Sequence, residues 1–435
     1  MRALACLVVL AALSLVDRDR SDHPPAGRRR ADATSLGGVA VAWRLRPRGT
    51  TLVLGRYATP RWRPTPLPVA ARVPGSVLVV GPTQSGKTTQ LCAPVLCAWD
   101  GPVLAASVKG DLVARTAARR GELGRVQVVS PELEGASVFD PVTLARTPAA
   151  ARGLARDLTI GTGAGQSAGD QEFWSSLSAK LLAPLLLAAN RGGGSIATVQ
   201  SWVDRRDLET PLELLDEEGA DALVASFTRD DRTLGSVLAT VEAAIESLRA
   251  GADAVDPERL LAGANTCYLS APLHDQRRFR PMFAGLLRQV LAEAATRAER
   301  GSPSRLLVLL DEAASIAPLE ELDQVAATCQ GQGVTLVTVW QDLAQLVARY
   351  GPKARTVVNN HTSRVLLGGL ADPTLAEWLP TLTGPARAAS GRPAAALATE
   401  QVRQWPRGAA VLVTGREPPV RLRLGSVHPG REHRS

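Results

Sequence analysis

The chain has 435 residues, a formal net charge of +8, 45% hydrophobic residues and 21% charged ones. It is long enough for two or three domains with substantial cores, so small-domain staples are not required. The five cysteines, Cys6, Cys92, Cys97, Cys267 and Cys329, fall at no zinc spacing and read as reduced thiols, so neither a structural metal nor a disulfide is expected. The histidines are scattered, which gives a His-based hydrolytic site little support. The positive charge suits a polyanionic partner or an anionic membrane surface. Lys87, Lys109, Lys180 and Lys353 are the only lysines among 50 cationic residues, so a lysine in a glycine-rich loop is not a compositional accident.

In chain order, Ala3 to Val16 is an apolar run shorter than the roughly 17 to 25 residues of a spanning helix. Arg18, Arg20 and Arg28 to Arg30 follow it, which by the positive-inside tendency keeps the rest of the chain in the cytoplasm. The run reads as a membrane anchor or its remnant, an interfacial segment, or a mis-assigned start, and residues 17 to 36 read as a basic linker. Apolar, β-branched blocks then recur at Val77 to Val80, Val103 to Ala106, Val126 to Val129, Thr266 to Leu269, Leu306 to Leu310, Val334 to Trp340, Arg364 to Leu367 and Ala410 to Thr414. They have the look of strands buried on both faces, with helical stretches such as Pro281 to Arg300 between most of them. An α/β doubly wound domain of 37–151 and 262–425 follows. Across 152–261 the pattern becomes helical throughout, with periodicity in Phe173 to Asn190 and Leu234 to Leu248, and predicts an all-α insert. Gly161 to Gly169 at its entrance reads as a hinge, because no strand precedes it as a dinucleotide loop requires. Residues 426–435 form a basic tail.

The segment Val77 to Thr89 satisfies G-x-x-x-x-G-K-[ST] with a strand before it and a helix after it. Gly81, Pro82, Thr83, Gln84, Ser85, Gly86, Lys87, Thr88 and Thr89 are therefore the expected cradle for ATP. The glycines let backbone N–H groups turn toward phosphates, the helix N-terminus adds its dipole, and Lys87 reaches the β and γ phosphates. Thr88 is the expected hydroxyl ligand of Mg²⁺. A phosphate loop also needs a magnesium-side acid from a neighbouring strand, and Arg305 to Leu310 ends in Asp311 and Glu312. Asp311 is expected at the metal, and Glu312 as the base that polarises the attacking water. The strand Val334 to Trp340 delivers Gln341 to the same edge as a candidate γ-phosphate sensor.

These pieces in this order, together with Ala106 to Leu112, Phe173-Trp174, Tyr268 to Pro272, Gln341 to Leu346 and Asn359-Asn360, resemble the type IV coupling proteins of the TraG/TraD kind over roughly residues 50 to 425. The resemblance implies a RecA-like P-loop fold with a mostly parallel sheet, a homo-hexameric ring, and a helical insert capping it toward relaxase or other secretion substrates. It further implies type IV secretion components as partners, sequence-independent DNA binding, and a place at the cytoplasmic face of the membrane. Arg277, Arg278 and Arg280 are the candidate DNA grip. The family usually begins with a pair of spanning helices, where this chain has only Ala3 to Val16. Members often carry an arginine finger just before the sensor strand; Cys329 to Gly333 holds none, and Arg364 is the substitute candidate. Two other readings stand beside this one. One is a double-stranded DNA pump of the FtsK or HerA kind, which the helical insert disfavours. The other is a receptor that binds ATP without turnover, which Glu312 disfavours.

Overall fold

The computed structural model describes residues 51–57, 68–108, 110–130, 133–160, 168–272, 276–314, 319–387, 393–395, 397–415 and 419–425. The apolar run at Ala3 to Val16, the basic linker, most of the Gly161 to Gly169 hinge, Lys109 and the basic tail lie outside the described residues. Among the described residues no helix is long and apolar enough to cross a membrane.

Thirteen strands are present among the described residues: β1 Thr51–Tyr57, β2 Pro68–Arg72, β3 Gly75–Val80, β4 Val103–Ser107, β5 Val126–Val129, β6 Thr266–Ser270, β7 Leu306–Leu310, β8 Val334–Trp340, β9 Ser363–Leu367, β10 Pro385–Arg387, β11 Pro393–Ala395, β12 Ala409–Thr414 and β13 Val420–Arg423. Eleven of them form one sheet in the order β2-β1-β13-β12-β9-β3-β8-β7-β4-β6-β5, and β10 pairs with β11. From β9 to β5 every pairing is parallel. The mostly parallel sheet expected from the sequence is therefore present. Ala410 to Thr414 departs from its neighbours: β12 runs antiparallel to β9 and hairpins onto β13, which pairs with β1. A strand buried on both faces shows the same apolar run in either direction, so the sequence pattern does not disclose this reversal.

Side chains of the central strands alternate between two cores, as the period of a strand demands. Leu78, Val80, Leu306, Val308 and Leu310 face one core, and Val77, Val79, Leu307 and Leu309 face the other. The second core is closed by the helix of Ala93–Ala98, through Val95 and Leu96. The first is closed by Phe283, Leu287 and Val290 of the Gln276–Glu299 helix.

The connection between the parallel neighbours β5 and β6 carries the helices Pro148–Thr159, Ala168–Arg191, Ile196–Arg205, Glu209–Glu213, Glu217–Phe227, Asp231–Ile245 and Pro257–Leu260. Four of these starts are written in the sequence. Thr147, Asp216, Asp230 and Asp256 each accept a backbone N–H from the first turn, and Pro148 and Pro257 sit where an N–H has no helical partner anyway. The Pro148–Thr159 helix lies against the Gln276–Glu299 helix so closely that a Cβ on Gly285 would come within 2.9 Å of Leu158 Cδ2.

One polar chain crosses the first core beneath the sheet's carboxyl edge. Trp340 Nε1 donates to Thr338 Oγ1 at 3.1 Å, Thr338 Oγ1 lies 3.1 Å from His361 Nε2, and His361 Nδ1 lies 2.6 Å from the Val357 carbonyl. A neutral imidazole protonated on Nδ1 satisfies every member. Burial pushes the His361 pKa down to about 4, while the hydrogen bond to Val357 opposes the shift and the charge of Arg364 adds to it. A folded-state pKa below the unfolded value makes this contribution full above about pH 6.5 and lost as pH falls toward 4. We expect the stability difference between the wild type and His361→Gln to shrink by about 2–3 kcal/mol between pH 7 and pH 4.5, measured by urea unfolding at both pH values.

Candidate nucleotide site

β3 ends at Val80, and the chain turns at once because Gly81 N donates to the carbonyl of Trp340, the last residue of β8, at 3.1 Å. Close packing makes glycine necessary there: a Cβ on Gly81 would lie 2.8 Å from Leu367 Cβ at the end of β9. The loop then curls through two left-handed residues, Gln84 at φ 62° and Gly86 at φ 99°. Ser85 between them is buried and donates through Oγ to the Pro82 carbonyl at 2.7 Å. Such a curl presents successive N–H groups to a concavity, the arrangement that receives an anion. The helix that follows opens with a π-wound turn over Lys87–Cys92.

Lys87 is buried, and its ammonium donates to the Gly81 carbonyl and, at 2.8 Å, to the Pro82 carbonyl. Burial lowers its pKa, against the raising effect of Asp311 and Glu312. Thr88 Oγ1 donates to Asp311 Oδ2 at 2.7 Å. Asp311 is only 4% exposed, and its Oδ1 is buried without a hydrogen-bond partner. Burial raises the Asp311 pKa to about 6; the Thr88 bond and Lys87 pull it down, and Glu312 pushes it up. A hydroxyl and an acid with an unmet oxygen, side by side under a phosphate loop, fit a hydrated Mg²⁺.

Glu312 sits at φ 63°, a left-handed conformation uncommon for a side chain of its size. Its neighbours hold it there. Asp311 N donates to the Ala106 carbonyl on β4 at 2.8 Å, and Ala313 N donates to the Val339 carbonyl on β8 at 3.1 Å. The turn thus buries Asp311 and leaves Glu312 half-buried at the edge. Gln341 is also half-buried, directly after β8, with its backbone N–H on Gln345 Oε1 at 3.1 Å.

The structure therefore gathers Gly81 to Thr89, Asp311, Glu312 and Gln341 at one edge. One expectation about how it does so is corrected: Asp311 does not come from a strand neighbouring the phosphate-loop strand. β8 lies between β3 and β7, and Thr88 meets Asp311 over its end. Arg364 does not join the group. It lies toward the start of β9, paired in register with Leu78, and its guanidinium donates to Val358 O and Asn359 O, both at 2.9 Å. Those carbonyls belong to the last turn of the Ala354–Asn360 helix, so Arg364 closes a helix C-terminus. Arg278 is likewise engaged, 2.9 Å from Glu246; the side chain of Arg277 lies outside the described residues.

Sequence reading missed two residues at this edge. Asp372 is buried, and its carboxylate accepts from Leu343 N at 2.8 Å, Ala344 N at 3.2 Å and Thr374 N at 2.9 Å, capping the helices that follow both β8 and β9. The Asp372-Pro373 pair signals one helix start, but its second duty is tertiary and leaves no sequence mark. Gln90 Oε1 is buried without a partner in a slot that exists because Gly86 and Gly408 lack side chains; a Cβ on either would fall 2.6 Å or 2.7 Å from it.

If Arg364 serves the helix end, Arg364→Ala strips two carbonyls of their donors. We expect it to lower the stability of the isolated, nucleotide-free chain by about 1–3 kcal/mol in urea unfolding. A residue reserved for a neighbouring subunit's nucleotide would leave that stability unchanged.

Comparison with known proteins places this geometry. The family described as Type IV secretory system Conjugative DNA transfer matches residues 71–390. Conjugal transfer protein TraG of Escherichia coli is 27% identical over 353 residues, which cover 72% of this chain and 55% of that protein. The chain thus spans about half the length of the curated relatives it matches. The unbound bacterial conjugative coupling protein TrwBdeltaN70 superposes with a TM-score of 0.64 at 17% identity, covering 83% of this chain and 87% of that one. Plasmid coupling protein TrwB in complex with ADP and Mg²⁺ gives a TM-score of 0.61 at 17% identity, covering 81% and 86%. With a family match over most of the described residues and the same P-loop, mostly parallel fold, the chain belongs to the conjugative DNA transfer family of type IV secretory systems.

Proposed function

We propose that the chain is an ATP-hydrolysing coupling protein that recruits DNA and protein substrates and drives them into a type IV secretion channel. The observation that carries this reading is the 2.7 Å bond between Thr88 and Asp311, with Asp311 Oδ1 unmatched and Glu312 turned out beside it. Mg²⁺ held by Thr88 and Asp311 would supply positive charge to the phosphates of bound ATP. The chain's own groups do the rest. Lys87 exchanges loop carbonyls for phosphate oxygens, Glu312 accepts a proton from the attacking water, and Gln341 donates to the terminal phosphate. The TrwB complex with ADP and Mg²⁺ has the same fold and supports this assignment of ligands.

Two features of the helical insert support recruitment. Its helices border a groove of about 1060 Å³, with Arg152, Lys180, Glu172 and Glu218 offering both charge signs above small apolar positions such as Ala183. Phe173 stands 55% exposed at the start of the longest insert helix, edge to face with Trp174. In this reading the insert, taken as 152–261, receives relaxase or other substrates, and the ATPase unit assembles as a hexameric ring at the cytoplasmic face of the membrane. Family membership favours it over an intracellular double-stranded DNA pump.

Lys87→Ala is expected to abolish nucleotide binding. Glu312→Gln should bind nucleotide as the wild type does and lose about 10²–10⁴ in turnover, checked by fluorescent-nucleotide titration and phosphate release. Undiminished turnover in Glu312→Gln would favour a receptor that uses ATP for assembly alone.

DNA binding by this chain is expected to be indifferent to sequence. Its affinity should fall linearly in log-log form with salt, with a slope of about −0.9 per phosphate neutralised, measured by anisotropy on unrelated duplexes. A strong preference for one duplex at fixed salt would contradict it.

A further inference from the structure

Between Asp32 and Asp100 the chain has no acidic residue, while arginines recur from Arg44 to Arg72. The first described elements of that stretch are β1 and β2, at the antiparallel end of the sheet, where β1 also pairs with β13. Alternation on β13 is strict. Val420, Leu422 and Leu424 turn into the core that contains Val77 and Val79, so Arg421 and Arg423 stand exposed on the opposite face. β1 begins with the same alternation, Leu52 and Leu54 inward and Val53 outward, 40% exposed. A bulge against β2 between Val53 and Gly55 then adds one residue and reverses the phase. Arg56 is thereby turned outward, directly opposite Arg423 in the β1–β13 register.

Residues directly opposite each other in an antiparallel pair share a face, with Cβ atoms about 4.5–5.5 Å apart, and like charges so placed repel. Nothing on the chain relieves Arg56 and Arg423: neither belongs to an ion pair among the described residues. Arg421 has no carboxylate partner there either, and its guanidinium lies over the Trp405 ring, 4.8 Å from the centroid. Arg407, two residues beyond Trp405, is exposed and equally unmatched. Leu424 N donates to the Gly408 carbonyl at 2.8 Å, which fastens the turn bearing Arg407 to the end of β13. Exposed arginines elsewhere are matched: Arg119 by Glu122, Arg278 by Glu246 and Arg355 by Glu377.

We propose that this face of β1 and β13 grips the phosphate backbone of DNA, with Arg56, Arg421 and Arg423 at its centre and Arg407 at its rim. The inference rests on the DNA-binding reading above and gives that reading a surface. Guanidinium groups without acids complement phosphate oxygens, which they can meet with two donors at once. A phosphate arriving between Arg56 and Arg423 removes their repulsion, so the pair is better placed in the complex than in the free chain. That difference is what drives binding. An anionic bilayer is the other extended polyanion, but interfacial binding also uses apolar side chains. Val53 is the one large apolar side chain strongly exposed on this face among the described residues, and Trp405 is half-buried with Arg421 over its ring. Membership of a family of conjugative DNA transfer points the same way.

The test compares the full wild-type chain with three triple variants. One carries Arg56→Gln, Arg421→Gln and Arg423→Gln, and the second carries lysine at the same positions. The third, Arg119→Gln with Arg278→Gln and Arg355→Gln, removes equal charge from matched arginines. Affinity for a mixed-sequence duplex and for a single strand of equal length is read by anisotropy across a salt series. Vesicles of neutral lipid with and without phosphatidylserine, and the thermal midpoint, are read alongside. The face-directed glutamine triple is expected to bind at least about tenfold more weakly at about 0.1 M salt, with a log-log salt slope on duplex shallower by about 2–3. Its thermal midpoint should not fall, because a repulsion has been removed. The lysine triple should keep most of the slope, and the matched-arginine triple should lose less than about 1 of it. Loss on either DNA form supports the proposal, and the arm that shows it identifies the form. An equal loss in the matched-arginine triple overturns it by making net charge the cause. Vesicle binding lost with DNA binding unchanged overturns it by giving the face to a membrane, and a lysine triple as weak as the glutamine triple with a lowered midpoint overturns it by showing a structural role. A wild type that binds neither DNA removes the DNA reading and this inference together; wild-type binding with an unaltered slope in the face-directed glutamine triple removes only the inference.

Discussion

Thr88 and Asp311 meet although their strands are not neighbours, and the geometry of the nucleotide edge depends on how that gap is bridged. β3 and β7 each pair with β8, with Val80 opposite Trp340 and Leu310 opposite Thr338. Two strand spacings separate them, about 9.5 Å by ordinary sheet geometry. A hydrogen bond across that distance requires β8 to stop where both flanking chains turn over its end. It does so through two backbone bonds, Gly81 N to Trp340 O and Ala313 N to Val339 O. The last residues of β8 thereby fix the start of the phosphate loop on one side and the turn bearing Asp311 and Glu312 on the other. Gln341, the next residue, is delivered between them without any further device. Changes in β8 should therefore act on the whole edge rather than on one residue of it.

The edge works against stability in several places at once. Lys87 and Asp311 are both withdrawn from water, where an ion loses several kcal/mol of hydration unless bonded, and Asp311 has one oxygen unmatched. Gln84 and Glu312 adopt left-handed backbone conformations, each costing about 1–3 kcal/mol. What holds them is the sheet beneath, whose central strands are buried on both faces by two separate cores. Lys87 and Asp311 feel opposed pulls, burial against mutual charge, which a metal held by Thr88 and Asp311 and a polyanion on Lys87 would relieve.

The phosphate loop was legible in the sequence because its geometry is local: the strand, the two glycines, Lys87 and Thr88 all lie within one turn of chain. The acid pair at Asp311 and Glu312 was legible for a similar reason, since an apolar run ending in two acids is a local pattern. Strand order was not. Nothing in β3, β7 or β8 taken singly says which two are adjacent, because pairing is decided by crossovers elsewhere in the chain. Strand direction at β12 was hidden as well, the apolar run being the same either way. β1, β2 and β13, at the antiparallel end of the sheet, escaped notice: β2, the edge strand, begins at Pro68, tolerable only where the missing N–H faces no partner, and β13 alternates buried and exposed positions over only Val420–Arg423. Arginine roles were the least legible. Arg364 closing a helix end, Arg278 on Glu246 and Arg288 on Glu321 are indistinguishable in a chain where arginine is the default cation.

The placement of the insert has a mechanical consequence. It leaves the sheet after β5, an edge strand, and returns through β6, next to that edge. Taken alone, this would put the insert at an edge of the sheet, five strands away from β3. The helix that follows β6 changes the situation. Gln276–Glu299 runs under the sheet toward β7, packs against the Pro148–Thr159 helix with only a glycine between them at Gly285, and carries Arg288 to Glu321. A rigid helix pressed that closely against the root of the insert transmits displacement instead of absorbing it, because a well-packed core deforms little. The arriving chain at Asp157, the returning chain at Leu261 and the entrance of the Leu322–Thr328 helix at Glu321 thus meet on one helix. A fold that attached the inserted helices by flexible linkers alone would leave them mechanically separate from the sheet; in this one a buried side chain, Arg288, bonds to both the Pro148–Thr159 helix and Glu321.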